Sequence, residues 1–287
     1  MLGKTRQSAS GKDDKEPYQE PHIEEVFDAK AGKARGALKQ ELPAGSFRHL
    51  RRGPSPDLEP WIAHYWAVSW DLDHPPQRVE TLPHPNVHLV FEDGAATVSG
   101  IHTGKFTRML EGRSQVFGVK FKAGGFRSFF DAAVGTLLNQ TIPARQVFGD
   151  AIDSLLSAAH SEDEKIEVAN AFFHARIPQP DASATLAGQL VDRILQDREI
   201  RTVDDLARQA AIGKRSLQRL FHEYVGVAPK WIIRRYRLHE LVERMNAGDA
   251  IDWPQLALDL GYFDQAHLVN DFRTIVGDTP TQYQLRK

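Results

Sequence analysis

The sequence contains no cysteine among its 287 residues. This absence excludes disulfide bonds, thiolate metal sites and cysteine nucleophiles together, and it leaves only His, Asp and Glu as metal ligands. The sequence also lacks a run of about 18 apolar residues, which a membrane-spanning helix requires. Its first residues include lysines and arginines but no apolar signal-peptide core. We therefore expect a cytoplasmic protein without a membrane segment.

A large net charge is missing as well, because 36 Lys and Arg residues stand against 38 Asp and Glu residues. The overall charge therefore indicates no polyanionic partner, and any attraction to nucleic acid must come from where the charges lie. The hydrophobic fraction of 41% and the charged fraction of 26% are typical of a soluble globular protein. The length fits two domains with separate cores.

The N-terminal region changes its pattern twice. Residues 1–45 are polar and show no periodicity, which predicts a mostly disordered tail. From residue 61 to residue 122, short apolar segments alternate with turn residues, which predicts strands of a sheet or barrel. After Gly125 the apolar residues recur every three or four positions, which predicts amphipathic helices. The predicted strands are WIAHYWAVSW, VHLVFEDG, AATVSGI, KFTRML and QVFGVKFKAGG, and the predicted helices are FRSFFDAAVGTLL, RQVFGDAIDSLLSAAH and EDEKIEVANAFFHARI.

The last of these strands has a two-residue period. Its Phe117, Val119 and Phe121 share one face, and the other face carries Gly118, Lys120 and Lys122, so we expect one buried and one solvent-facing side. Residues 46–177 are therefore predicted to form an N-terminal domain of the α+β class, with strands followed by helices. Two prolines in residues 178–184 predict a linker.

The C-terminal region, residues 185–287, is predicted to be all helical and to contain one supersecondary unit twice. In the first unit, Thr202 and Asp205 form a capping-box pattern before a helix, and a tight turn at residues 210–213 leads to a second helix. Asp264 is the expected N-cap of the corresponding second helix in the second unit. Each unit is a helix-turn-helix, and a long helix from Pro229 connects the two.

The second helix of each unit has a polar face suited to reading DNA. On the first, Arg215, Gln218 and Arg219 lie on the stripe opposite the apolar residues. Arginine makes two hydrogen bonds to guanine and glutamine makes two to adenine in the major groove. The connector carries Lys230, Arg234, Arg235 and Arg237 as candidates for phosphate contact. The predicted DNA-binding residues are Lys214, Arg215, Ser216, Gln218, Arg219, Arg234, Gln265, His267 and Asn270.

The connector length agrees with this arrangement. About 18 helical residues span about 27 Å, and successive major-groove faces lie roughly 34 Å apart. One chain is therefore able to place two reading helices in adjacent grooves of one duplex.

Residues 185–287 resemble the DNA-binding domain of the AraC family of transcription regulators. The matching segments include LQRLF at 217–221, VGVAPK at 225–230, ALDLGY at 257–262 and DQAHL at 264–268. The sequence departs from the family at Gly213, where a serine N-cap is usual, and glycine at this position costs only a few tenths of a kcal/mol. The resemblance implies that double-stranded promoter DNA is the partner and that both reading helices enter grooves.

Residues 46 to about 175 resemble an N-terminal domain found on a subset of AraC-like regulators. The matching segments are SPDL at 55–58, HYW at 64–66, LPH at 82–84, HLVF at 88–91 and FGVKF at 117–121. The resemblance implies sensing of a small-molecule effector or formation of a homodimer, and contact with RNA polymerase if the protein is an activator. It implies no enzyme activity, no catalytic residue, no metal and no cofactor.

Two groups in the N-terminal domain are candidate ligand-binding residues. Arg48, Arg51 and Arg52 form a basic cluster that either binds a phosphate-bearing ligand or is a solvated patch. His84 and His88, together with His102, either hold a metal or are ordinary polar residues. The ligand-binding candidates are thus Arg48, Arg52, His84 and His88. The alternatives to an effector-controlled regulator are a metal-dependent enzyme domain fused to a DNA-binding domain, and an N-terminal domain that only dimerises.

Overall fold

The computed structural model describes residues 22–28, 31, 38, 46–72, 76–249 and 251–285. These residues form a β-rich N-terminal part followed by helices, and then an all-helical C-terminal part. The α+β prediction is confirmed. The strands are β1 His22–Phe27, β2 Ser46–Arg52, β3 Ile62–Asp71, β4 Gln77–Thr81, β5 His88–Glu92, β6 Ala95–Ser99, β7 Phe106–Leu110, β8 Arg113–Phe121 and β9 Thr141–Pro143.

Seven strands form one sheet in the order β1-β2-β3-β8-β5-β6-β9, and β4 pairs with β7 separately. The β1–β2 pair is parallel and the other pairs are antiparallel. All five predicted strands are present. Strand β1 lies within residues 1–45, where we predicted a disordered tail. Its backbone pairs along β2, a long-range contact that the composition of the segment does not reveal. Most of the predicted tail lies outside the described residues.

The two faces of the large sheet differ in chemistry. One face packs into the apolar core, with Tyr65, Phe117 and Val119 among its buried residues. The other face carries Lys120, which lies directly opposite His64 on β3 and His88 on β5. The prediction that this second face is simply solvent-facing was wrong. Lys120 is half-buried, because neighbouring elements also cover this side of the sheet.

The helices are α1 Arg145–Phe148, α2 Glu162–His174, α3 Ala182–Gln196, α4 Val203–Ala210, α5 Lys214–Leu220, α6 Pro229–Asn246, α7 Trp253–Asp259, α8 Gln265–Val276 and α9 Pro280–Gln284. Within the described ranges, no helix combines the length and apolarity needed to cross a bilayer.

Two of the three helices predicted for the N-terminal domain were wrong. The segment 126–138 contains two short 3-10 turns, and the segment 145–160 has one four-residue helix followed by turns. Gly149 interrupts the second segment with a φ of 81°, which a right-handed helix does not contain. The phenylalanines of both segments join one aromatic cluster, in which Phe126 contacts Phe148. The helical spacing of these residues therefore reflects packing around a common centre. The third predicted helix is α2.

The helix ends of the C-terminal part follow local rules. Thr202 and Asp205 form the predicted capping box of α4, and Gly226 has a φ of 95° after the first unit. Helix α3 begins at Ala182, three residues before the predicted start. Two of its leucines, Leu186 and Leu195, lie outside its buried side, since they are 36% and 44% exposed. The buried residues of α3 are Ala184, Ala187, Leu190, Val191 and Ile194.

The N-terminal sheet and the first helix-turn-helix unit share one core. Buried residues form a continuous cluster from Val119 in the sheet through Leu190 of α3 to Phe221 and Ile232. Helix α3 comes close to the chain after β8 because Gly188 has no side chain, and a Cβ there would lie 2.8 Å from the carbonyl oxygen of Ala123. The second unit has its own core. That core also includes Leu82 from the N-terminal part.

The shared core leads to a stability prediction for Phe221. We predict that Phe221→Ala lowers the free energy of unfolding by about 3–5 kcal/mol, because it removes a fully buried aromatic ring and leaves a cavity. Chemical denaturation monitored by circular dichroism measures the change. The matched control is Phe263→Ala, since Phe263 is 89% exposed, and its effect should stay within about 0.5 kcal/mol. Equal effects of the two substitutions would contradict the prediction.

Candidate nucleic-acid interface

Helix α5 presents the predicted polar stripe to solvent. Leu217 is buried, and Ile212 in the preceding turn packs against the same core. Gly213 is the N-cap of α5, and it forms no side-chain hydrogen bond to the helix because glycine has no side chain. This is the position at which the sequence departs from the AraC family. The five predicted DNA-binding residues of this helix are all exposed, namely Lys214, Arg215, Ser216, Gln218 and Arg219.

Two of the three charged side chains of α5 form no hydrogen bond or ion pair with the described residues. The side chains of Arg215 and Arg219 form no hydrogen bond or ion pair with any described residue. Lys214 pairs with Asp204 at the start of α4. Because Arg215 and Arg219 are four residues apart, they share one helical stripe. Two free guanidinium groups therefore face outward from the second helix of a helix-turn-helix unit.

Helix α5 passes directly into a π-helical turn, Phe221–Val225, which ends at Gly226. Such turns are rare, and they often occur at functional sites. This one contacts the N-terminal part, since Glu223 accepts a hydrogen bond of 2.7 Å from Nε of Arg127. The ring of His222 lies so close to Gly135 that an added Cβ would meet it at 2.5 Å. The turn that follows the C-terminal end of the first reading helix is therefore in contact with the N-terminal domain.

Helix α8 repeats the arrangement in the second unit. The carboxylate of Asp264 accepts a hydrogen bond of 2.7 Å from the backbone N–H of His267, which confirms the predicted N-cap. Leu268, Phe272 and Ile275 are buried. The predicted reading residues Gln265, His267 and Asn270 are all exposed.

Arg234 connects the connector helix to the second reading helix. Its Nε lies 3.1 Å from Oδ2 of Asp271, and its Nη2 lies 3.3 Å from Nε2 of His267. Arg234 is half-buried, so the structure places this predicted DNA contact in an internal brace between α6 and α8.

The other basic residues of α6 differ in exposure. Lys230 is exposed and Arg237 is half-buried. Arg235 is only 2% exposed, so its prediction as a phosphate contact was wrong. Its Nε donates a hydrogen bond of 2.5 Å to the carbonyl oxygen of Pro83, and Nη2 lies 3.1 Å from Nδ1 of His84. The helical period places Arg235 on the side of α6 that packs against the N-terminal domain.

The four ligand-binding candidates of the N-terminal domain do not come together. Arg48 pairs with Glu24 and with Glu162 of α2, on the side of the apolar core. Arg52 has the same strand parity as Arg48 and therefore points to that side. His84 and His88 lie on the opposite side.

Arg51, from the basic cluster noted in the sequence, accompanies these histidines because it contacts His64. Three residues that we did not predict as ligand contacts join them, namely His64, Lys120 and Arg235. The alternation of β8 was the available signal for Lys120, but the strand register and the approach of α6 were needed to find the group.

Burial controls the ionisation of this group. It lowers the pKa of His64 to about 2 and that of His88 to about 3, with a smaller contribution from the charge of Lys120 in both cases. It also lowers the pKa of His84 well below the ordinary value. The pKa of Lys120 falls to about 7, first through burial and then through the charges of Arg235 and Arg51. At neutral pH the histidines are therefore uncharged and Lys120 titrates.

The metal alternative was tested against the geometry. Over the part of the chain that the structure describes, no group of three or more His, Asp and Glu side chains is arranged to hold a metal ion. His102, the third histidine of that hypothesis, lies 3.5 Å from the hydroxyl of Thr141.

These shifts predict a loss of stability in mild acid. His64, His84 and His88 have folded-state pKa values below the unfolded value of about 6.5, so the unfolded chain binds more protons. Their contribution to stability is present above pH 6.5 and decreases as the pH falls below it, by up to about 1.4 kcal/mol per pH unit for each histidine. Thermal unfolding between about pH 7.5 and pH 5 measures this. His64→Gln should reduce the slope, and an unchanged slope would contradict the assignment.

Comparisons with known families agree with this division of the chain. Residues 206–286 match a family described as a helix-turn-helix domain, and residues 50–143 match a family described as a domain of unknown function (DUF6597). No curated protein sequence matches the chain.

Among solved structures, ToxT from Vibrio cholerae O395 is similar, with a TM-score of 0.35, 10% identity and coverage of 84% of this chain and 96% of that one. Wild-type ToxT from Vibrio cholerae strain SCE256, with a bound unsaturated fatty acid, has a TM-score of 0.34, 12% identity and coverage of 76% and 90%. At these TM-scores the likeness carries no argument about this chain.

The C-terminal region is therefore a helix-turn-helix DNA-binding domain, since its sequence matches that family and its two reading helices are exposed. The domain is of the AraC type, with two helix-turn-helix units in tandem on either side of α6. In this chain a β-rich N-terminal domain precedes the helix-turn-helix DNA-binding domain.

Proposed function

We propose that the protein regulates transcription by inserting α5 and α8 into adjacent major grooves of promoter DNA. The observation that carries this proposal is the state of Arg215, Gln218 and Arg219. All three are exposed and form no side-chain hydrogen bond or ion pair with the described residues, although they lie on the second helix of a helix-turn-helix unit. Uncommitted donors in this position are suited to hydrogen-bonding base edges.

The connector supports simultaneous binding by both units. Helix α6 has 18 residues and therefore spans about 27 Å, compared with a groove repeat of roughly 34 Å. The brace from Arg234 to Asp271 fixes α8 against this helix. One chain is thus able to read an asymmetric site without a second copy.

The N-terminal domain is proposed to modulate DNA binding by binding a small-molecule effector. Its contacts with the π-helical turn and with Arg235 support this role, because they join the sheet to both the first reading helix and the connector. The proposal makes the chain a regulator and not an enzyme. It acts in the cytoplasm, where a bacterial promoter is found.

Arg219 and Lys230 should have different roles in binding. We predict that Arg219→Ala lowers discrimination at one base pair by about 1–3 kcal/mol. Lys230→Ala should weaken binding to specific and random DNA alike and reduce the salt slope by about 1. Fluorescence anisotropy with a selected site and a random duplex at several salt concentrations separates the two effects.

The control for this pair is Arg113→Ala. Arg113 lies on β8 with its side chain 84% exposed, and its removal should leave affinity and specificity unchanged. If Arg219→Ala weakened both duplexes equally, Arg219 would be a phosphate contact and the proposed reading role would be wrong.

The spacing of the two reading helices gives a separate prediction. An insertion of about five base pairs between the two contacted segments rotates them by half a helical turn, which the rigid connector does not accommodate. We predict that the affinity falls to that of a single helix-turn-helix unit. An insertion of about ten base pairs restores the rotation but makes the span too long for the connector, so we expect the same loss of affinity. Footprinting on the three duplexes measures the result. Full protection of both segments after either insertion would contradict the model of a fixed pair.

A further inference from the structure

Six basic side chains gather at the face of the large sheet that carries Lys120, which is the face opposite the apolar core. We call them the inner basic cluster. Lys120 is at the centre, with His64 and His88 as its direct cross-strand neighbours. Residues opposite each other on paired strands have Cβ atoms about 4.5–5.5 Å apart. The cluster consists of Arg51, His64, His84, His88, Lys120 and Arg235.

Three members of the cluster, Lys120, His88 and Arg235, have hydrogen-bond donors without an acceptor among the described residues. Nζ of Lys120 forms no hydrogen bond and no ion pair with the described residues. His88 accepts a hydrogen bond from Nε1 of Trp66 at Nδ1, so its neutral ring carries the proton on Nε2, which has no described partner. Nη1 of Arg235 likewise has no described acceptor, since its contacts use Nε and Nη2.

The carboxylates nearby are committed elsewhere. Glu80 pairs with Arg78 and Lys105 on the β4 side. Glu92 pairs with Arg108, and Glu243, which acts electrostatically on Arg235, contacts His239 and is largely exposed. Among the described residues, no carboxylate is paired with Lys120 or Arg235. A buried cation without a counter-charge costs several kcal/mol.

Part of the cluster remains accessible from outside. Lys120, His84 and His88 each keep some accessible surface, although burial is the main cause of their altered ionisation. The ring of Trp66 lies across Gly118, beside Lys120 on the same face, where a larger side chain would collide with it.

We propose that the inner basic cluster binds the anionic group, a carboxylate or a phosphate, of a small-molecule effector. Nζ of Lys120, Nε2–H of His88 and Nη1 of Arg235 are the donors that hold it. This inference rests on the proposed function and names the chemistry of the effector. An anion supplies both missing elements at once, a hydrogen-bond acceptor and a negative charge.

Arg235 connects this site to DNA binding. It belongs to α6, which fixes the distance between the two reading helices, and its neighbour Arg234 holds α8 through Asp271. A ligand shared by Lys120 and Arg235 therefore joins the sheet to the connector. Binding of this ligand changes the affinity for DNA to the extent that α6 is held differently in the ligand-free and the ligand-bound protein.

The test is a titration of the full chain with inorganic phosphate and, separately, with acetate, at an ionic strength kept constant with chloride. We expect saturable binding and a rise in the melting temperature with at least one of the two anions, and the better anion identifies the group. Lys120→Met should weaken that binding at least about tenfold. The matched control is Lys122→Met, two residues away and exposed, which should leave it unchanged.

Calorimetry provides a measurement that does not depend on a variant. At about pH 8, Lys120 is mostly neutral in the empty site, and the neighbouring His64, His84 and His88 are neutral as well. An anion restores the charge on Lys120, so binding should take up close to one proton. Titrations in two buffers with different ionisation enthalpies measure this uptake in the wild-type protein, whether or not Lys120→Met folds.

The outcomes separate the two proposals. Absence of saturable binding, absence of proton uptake, or equal losses in Lys120→Met and Lys122→Met would overturn the inner basic cluster as an anion site, while specific DNA binding by the same preparation would leave the proposed function intact. Anion binding with uptake in a preparation that binds no DNA specifically would support the site and overturn the proposed function.

Discussion

The position of α6 is the constraint on which the rest of the C-terminal structure depends. The first part of this helix buries Ile232 and Ile233 in the core shared with the sheet. Its second part buries Leu238 and Val242 in the core of the second unit. A single rigid element thus belongs to both cores. The separation of the two reading helices follows from its length and from the way its ends are packed.

Local pairing explains how an almost neutral protein presents a DNA-binding surface. The carboxylates near the reading helices are engaged by backbone N–H groups or by cations, as Asp205 and Asp264 are at helix N-termini and Asp271 is beside Arg234. A carboxylate at a helix N-terminus is stabilised by the helix dipole. Arg215 and Arg219 have no such partner, so the local potential at α5 differs from the average of the chain.

The sequence predicted the parts of the fold that local interactions determine. The cap at Asp264 and the capping box of Thr202 and Asp205 depend on side chains within a few residues, and both are present in the structure. The strands were predicted from short apolar segments between turn residues, and the last of them also from its two-residue period. The exposed stripe on α5 was predicted from the position of its apolar residues, because an amphipathic helix has only one face to bury.

The remaining features depend on contacts between residues far apart in the sequence. The burial of Arg235 follows from its contact with Pro83, about 150 positions away, and the helical pattern gave no reason to separate it from Arg234. The environment of Lys120 required the register of three strands. Likewise, the aromatic residues around Phe126 had helical spacing but satisfy a cluster instead. Periodicity reports which residues are buried, and it does not report against which partner.

The same long-range contacts decide how a signal is able to pass between the domains. A ligand changes DNA affinity only through a difference in its own affinity for the free and the DNA-bound protein, so the two sites must share an element whose position both affect. Helix α6 meets this requirement, since Arg235 faces the sheet and the adjacent Arg234 faces α8. Consecutive residues on a helix point about 100° apart, which allows one turn of α6 to contact both domains. A small rotation of α6 about its axis would displace both guanidinium groups relative to their partners, Pro83 and His84 on one side and Asp271 on the other. The polar contacts at this turn are therefore the part of the interface most sensitive to what lies beside Lys120.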